Sequence, residues 1–132
     1  MKICVSAASA DDLDAPIDPR FGRCPYFVIV DSETMQFEAI PNTASSGMSG
    51  AGIQAAQTIA SKGAKVLITG NIGPNALQAL SAAEIKIVPG AFGTVAEVVG
   101  KYKMGDLKET GLPTVEGHMR ETRRKRIQNR GR

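Results

Sequence analysis

The polar and apolar positions of this chain change period partway along it. Residues 2–6, Lys2-Ile3-Cys4-Val5-Ser6, form a short apolar run that predicts a first strand. A polar connection of 18 residues follows and closes at Phe21-Gly22-Arg23-Cys24-Pro25, longer than a hairpin needs. Residues 26–30 are apolar on both faces, as in a central strand covered on both sides. After turn chemistry at Asp31-Ser32-Glu33-Thr34, Met35, Phe37 and Ala39 alternate with Gln36 and Glu38, the period of a half-exposed edge strand. These three pieces predict an antiparallel meander.

Beyond it the repeat becomes helical. Ser49-Gly50-Ala51-Gly52 opens a helix running to about residue 62, with Ile53, Ala56, Ile59 and Ala60 on one face and Gly63 at its stop. Residues 65–69 predict a buried strand, and Pro74 is a good first-turn residue for a second helix. Residues 85–88 give the last strand. Val95, Val98, Val99 and Tyr102 then mark one face of a third helix despite Gly100. The pattern fades past Gly105, which predicts a domain over residues 1–105 and an extension over 106–132 with a disordered basic end. Strand–helix–strand alternation in the second half requires right-handed parallel crossovers. The expectation is an α/β protein with a mixed five-stranded sheet, in the element order of a ribonuclease-H-like three-layer fold. Fold alone assigns no activity.

Charge changes the picture in one place. The net charge is +3, yet residues 120–132 hold seven basic side chains against one acid, a local +6, so the preceding 119 residues carry −3. The basic pI therefore belongs to the tail, and nucleic acid or an acidic partner is expected only through it. No apolar run reaches the roughly 18 residues of a membrane span, and Asp11 and Asp12 interrupt any signal-peptide core, so a cytoplasmic location is expected. Cys4 and Cys24 are too few for a disulfide scaffold and lack zinc spacing. His118, the one histidine, stands beside the basic tail, leaving Ser-His-Asp or Cys-His catalysis dependent on a peripheral residue.

Two glycine-rich segments precede helices: Ser45-Ser46-Gly47-Met48-Ser49-Gly50-Ala51-Gly52 and Gly70-Asn71-Ile72-Gly73-Pro74-Asn75. Free backbone N–H groups at a helix start favour an anion, and glycine admits its close approach. The same glycines also serve as plain turn residues; two such segments in one small domain favour a site. Neither continues as Gly-Lys-Ser/Thr, and the loose Gly50-x-Gly52-x-x-Ala55 match lacks both a preceding strand and a following acid, which argues against P-loop and dinucleotide binding. The strands supply no carboxylate cluster for a two-metal nuclease, and the aspartates of residues 11–18 read as solvated. No general base stands in the motif regions, so an enzyme acting on a phosphorylated ligand is disfavoured. Arg20 and Arg23 flank Phe21-Gly22, where two guanidiniums can face an anion and Phe21 can cover it. Cys24, next to Arg23, is expected to gain thiolate character if the side chains meet. Met48 offers a soft thioether.

The runs Phe21-Gly22-Arg23-Cys24-Pro25-Tyr26-Phe27, Gly50-Ala51-Gly52-Ile53-Gln54-Ala55-Ala56 and Ile68-Thr69-Gly70-Asn71-Ile72-Gly73-Pro74-Asn75-Ala76, with Asn42 between the first two, resemble the dinitrogenase iron–molybdenum cofactor biosynthesis family. The resemblance spans residues 1–105 and implies a ribonuclease-H-like fold without nuclease activity. It further implies an anionic metal–sulfur cluster, of iron–molybdenum–sulfur or molybdenum–copper–sulfide type, lost on isolation in air. The expected lining is Arg20, Phe21, Gly22, Arg23, Ser46, Gly47, Met48, Ser49, Gly50, Gly52, Gly70, Asn71, Gly73 and Asn75, with Cys4 and Cys24 as candidate ligating sulfurs. The expected role is a non-catalytic carrier working between cluster donor and acceptor proteins, away from membranes.

Overall fold

The computed structural model describes residues 1–43 and 51–111. Five strands, β1 (Lys2–Ala7), β2 (Tyr26–Asp31), β3 (Phe37–Pro41), β4 (Ala64–Ile68) and β5 (Lys86–Val88), form one sheet in the order β3-β2-β1-β4-β5. β1–β2 and β2–β3 are antiparallel, while β1–β4 and β4–β5 are parallel, so β1 is the seam between the two halves. Helices α1 (Ala51–Ser61), α2 (Pro74–Ala82) and α3 (Val95–Lys103) follow β3, β4 and β5.

Strand alternation sorts the core into two layers. Cys4, Phe27, Ile29, Leu67 and Ile87 point to the face covered by α1 and α2, where they meet Ala55, Ile59, Leu77 and Leu80. Ile3, Val5, Val28, Val30, Val66, Ile68 and Val88 point to the other face, covered by Val95, Val98 and Val99 of α3. Both faces of the central strands are thus buried, which explains their continuous apolar runs.

Several element edges differ from the sequence reading, each for a local reason. β3 begins at Phe37 rather than Met35, because Asp31 Oδ1 accepts the Glu33 and Thr34 N–H groups and the turn holds Met35 at φ 62°. Ile53 is 39% exposed, and the buried stripe of α1 runs through Ala51, Ala55, Ala56 and Ile59. Beside that stripe stands the partly buried Gly52, where an added Cβ would lie 2.9 Å from the Ala76 Cβ, so α1 and α2 approach through small residues. A 3-10 turn at Phe21–Arg23 was not anticipated. α3 starts on a full capping box, Thr94 Oγ1 accepting from Glu97 N and Thr94 N donating to Glu97 Oε1. The chain also keeps to the domain beyond residue 105: Leu107 packs on the α3-side core and Thr110 N donates to Ile87 O at 2.8 Å on the outer edge of β5. Among the described residues no helix is long and apolar enough to cross a membrane. The basic stretch of residues 120–132 and His118 lie outside the described residues.

Candidate functional site

The three parallel strands end on one edge of the sheet. There the chain leaves β1 toward β2, while it leaves β4 through α2 toward β5, so the edge between β1 and β4 is a topological switch point. Open α/β sheets accept ligands at such a point, because diverging connections leave a crevice between them.

Two buried hydroxyls close the floor. Ser6 Oγ and Thr69 Oγ1 share a hydrogen bond of 2.8 Å across the ends of β1 and β4, both fully buried. Ser6 Oγ also donates to Asp18 O at 2.6 Å, and Asp18 N donates to Ser6 O at 2.9 Å. Asn71 N donates to Pro19 O at 2.7 Å, placing Arg20 beside Asn71 as in a parallel bridge. The long connection after β1 is therefore pinned over the strand ends at residues 18–20.

On that floor stand the residues read as anion contacts. Arg20 donates to Asp18 through Nε (3.0 Å to Oδ1), Nη2 (2.8 Å to Oδ2) and its backbone N–H (2.9 Å to Oδ1). The Asp18 side chain is 7% exposed, that of Arg20 64%. The Arg20 guanidinium holds the Asp18 carboxyl below its usual range, outweighing the burial that opposes ionisation. The reading of Asp18 as a solvated loop acid is thus corrected: the Asp-Pro-Arg spacing lets one carboxylate take both the side chain and the backbone of Arg20. Arg23, Asn71 and Asn75 are exposed. α2 begins at Pro74 behind Gly73, a cap that has no side-chain acceptor to offer the first-turn N–H groups.

Three of the glycines face protein. A Cβ on Gly70 would lie 2.5 Å from Pro19 Cβ and 2.7 Å from Pro19 Cα, and one on Gly22 3.3 Å from Gly52 N. Together with the Gly52–Ala76 approach, these bring the 3-10 turn, the first turn of α1 and the start of α2 within reach of one another. Their close approach serves chain on chain, which leaves Arg20, Arg23, Asn71, Gly73 and Asn75 as the other described residues of the expected lining outside the core. Ser46, Gly47, Met48, Ser49 and Gly50 lie outside the described residues.

Phe21 and the two cysteines lie beneath this surface. Phe21 is 2% exposed and its ring centroid is 5.4 Å from that of Phe27, so it anchors the 3-10 turn from inside the core. Cys4 and Cys24 belong to the same buried cluster. The Cys24 thiol donates to Phe21 O at 3.2 Å, and Asn42 Nδ2 donates to Cys24 O at 2.9 Å and to Gly22 O at 3.3 Å. Burial pushes the Cys24 pKa up to about 12, with the Asp18 carboxylate adding to the rise, and burial also raises that of Cys4. The expectation of thiolate character at Cys24 is corrected accordingly: desolvation dominates, and the charge that acts on the thiol is that of an acid, Asp18. Among the described residues no three His, Cys, Asp or Glu side chains gather as a metal site.

Sequence reasoning gave Ser6 no role, read Asp18 as solvated and quoted Thr69 only within a motif. Ser6 carried a readable signal, a hydroxyl on an otherwise apolar strand, at a position that alternation turns inward beside Cys4. Asn42 was noted only as part of a motif; it is a buried amide that ties β3's end to the turn.

Fold and edge together define a small mixed α/β domain whose switch-point edge carries Arg20, Asn71 and the start of α2. The chain belongs to the dinitrogenase iron-molybdenum cofactor family, whose model matches residues 1–105. It is similar to the apo form of the orange protein from Desulfovibrio gigas, at 41% identity and a TM-score of 0.84, covering 86% of this chain and 96% of that one. It is likewise similar to a Thermotoga protein provisionally named NifB, at 34% identity and a TM-score of 0.76, covering 88% and 98%. An uncharacterized protein of Methanocaldococcus jannaschii is 33% identical over 96 residues, covering 70% of this chain and 81% of that protein.

Proposed function

We propose that this chain is a non-catalytic binding and carrier protein for an anionic metal–sulfur cluster, of iron–molybdenum–sulfur or molybdenum–copper–sulfide type. The observation that carries the reading is the bridge that sets Arg20 beside Asn71 at the switch-point edge, just ahead of the start of α2, whose Gly73 cap makes no side-chain hydrogen bond. Such a cargo is bulky and anionic with diffuse charge, suited to guanidinium, amide and backbone N–H donors. Family membership and the orange protein likeness point to the same cargo class. In this reading the cluster is held by hydrogen bonds and charge, and the buried thiols of Cys4 and Cys24 stay in the core. The sheet order supports a ribonuclease-H-like layer arrangement used as a scaffold. The carrier would work in the cytoplasm between cluster donor and acceptor proteins.

The test is metal and acid-labile sulfide content, with a visible spectrum, on protein purified under strict anaerobic conditions. Protein isolated empty is then mixed with tetrathiomolybdate and copper(I) or iron(II). Stoichiometric metal with charge-transfer bands is the expected result. Failure to take up metal or colour after reconstitution would overturn the carrier reading.

A further inference from the structure

We infer that Asp18 is the positioning residue of this site: it fixes the Arg20 guanidinium so that an anionic cargo meets a donor already aimed. The inference rests on the carrier reading and concerns how the site achieves its affinity. Both Asp18 oxygens are spent on Arg20, one on the backbone N–H and Nε, the other on Nη2. The acid is itself tied down, its N–H donating to Ser6 O and its carbonyl accepting from Ser6 Oγ, beside the buried Ser6–Thr69 pair. A continuous path of hydrogen bonds thus runs from the ends of β1 and β4 to an arginine whose side chain is 64% exposed.

As a source of stability the arrangement is weak, since a half-solvated pair gains little and the sinking of a carboxylate to 7% exposure costs desolvation. As a means of direction it is efficient. Arginine carries several N–H donors in a rigid planar fork. Asp18 engages the Nε and Nη2 side of that fork, and Nη1 makes no hydrogen bond to the described residues. Holding one edge of a planar fork fixes the direction of the other. Immobilising a long side chain only when ligand arrives weakens binding, and a side chain already held escapes that loss, which amounts to about tenfold in affinity.

The experiment is anaerobic titration of tetrathiomolybdate into the full chain, followed by its own absorption, for wild type, Asp18→Asn, Arg20→Gln and the double variant. The Arg20 Nε–H resonance and thermal unfolding are recorded alongside. The expected result is an affinity about tenfold lower in Asp18→Asn, no further loss when that change is added to Arg20→Gln, and a distinct, slowly exchanging Arg20 Nε–H that collapses into the averaged arginine signal without Asp18. A merely structural role would lower the unfolding temperature and leave this coupling at zero. Wild-type affinity in folded Asp18→Asn, or losses that add fully in the double variant, would overturn the inference while the carrier reading stands. Should Asp18→Asn fail to fold, an averaged Arg20 Nε–H in wild type would overturn it alone. Wild type that binds no tetrathiomolybdate would overturn both.

Discussion

Gly70 and Gly100 sit in opposite packing environments, and the same substitution should have opposite effects at the two. At Gly70 a methyl group meets the Pro19 backbone and ring, so Gly70→Ala should destabilise by about 1–3 kcal/mol through overpacking. At Gly100, inside α3 and with nothing within 4 Å of an added Cβ, Gly100→Ala should stabilise by about 0.5–1 kcal/mol through helix propensity. Urea unfolding of the two variants checks both signs. Asp18 has a separate consequence in acid. Its folded pKa is lowered, so its contribution to stability is present above the ordinary carboxyl value of about 3.9 and is lost as pH falls through the lower folded value. Wild type should lose stability on acidification below about pH 4, and Asp18→Asn should remove part of that slope. Urea midpoints measured across that range decide it; an unchanged slope in Asp18→Asn would sink the assignment. Glycine spacing and an Asp-Pro-Arg triplet are both visible in a sequence. Which partner fills the space around a glycine, and whether an acid is buried, depends on the loop that folds over it.

At the scale of elements, α3 is the best-specified helix and offers the cleanest measurement. Thr94→Ala removes one half of its capping box and should cost about 1 kcal/mol, read as a lower urea midpoint with unchanged slope. This helix was legible because Val95, Val98, Val99 and Tyr102 keep strict helical spacing, although the Thr94–Glu97 box at its start went unread. The central strands were legible for the same kind of reason, their apolar runs being buried on both faces. α1 was only half legible: its inner face is alanine and glycine, so the eye falls on Ile53, a larger side chain that the close helix pair leaves at the surface. β3 slipped by two residues because a carboxylate-capped turn absorbed Met35. Glu84, at φ 62° just after α2, shows the same limit, since a non-glycine residue in that conformation has no signature in composition. At the candidate site the exposed donors were readable from residue type, while the Ser6 and Thr69 hydroxyls that hold Asp18 in place came from distant parts of the chain.

For the molecule as a whole, the sheet does not finish where the family match does. Residues 106–110 return to β5, with Thr110 bonded to Ile87, Tyr102 Oη donating to Glu109 at 3.2 Å, and Leu107 on the core. A chain ending at residue 105 should therefore be less stable than one ending at 111 by about 1–2 kcal/mol, the worth of a backbone hydrogen bond and a half-buried leucine. Thermal unfolding of the two truncations measures the difference, and equal midpoints would show the segment to be a passive neighbour. The seam position of β1 matters at an earlier moment, while the chain is still being made. The meander that uses one edge of β1 is complete in sequence by Pro41, but the strand that fills its other edge ends only at Ile68. A meander that forms before then would leave the apolar edge of Ile3, Cys4 and Val5 open, the kind of edge on which strands from other chains add. The strand that lies at the centre of the finished sheet would then be the one most open to the wrong partner.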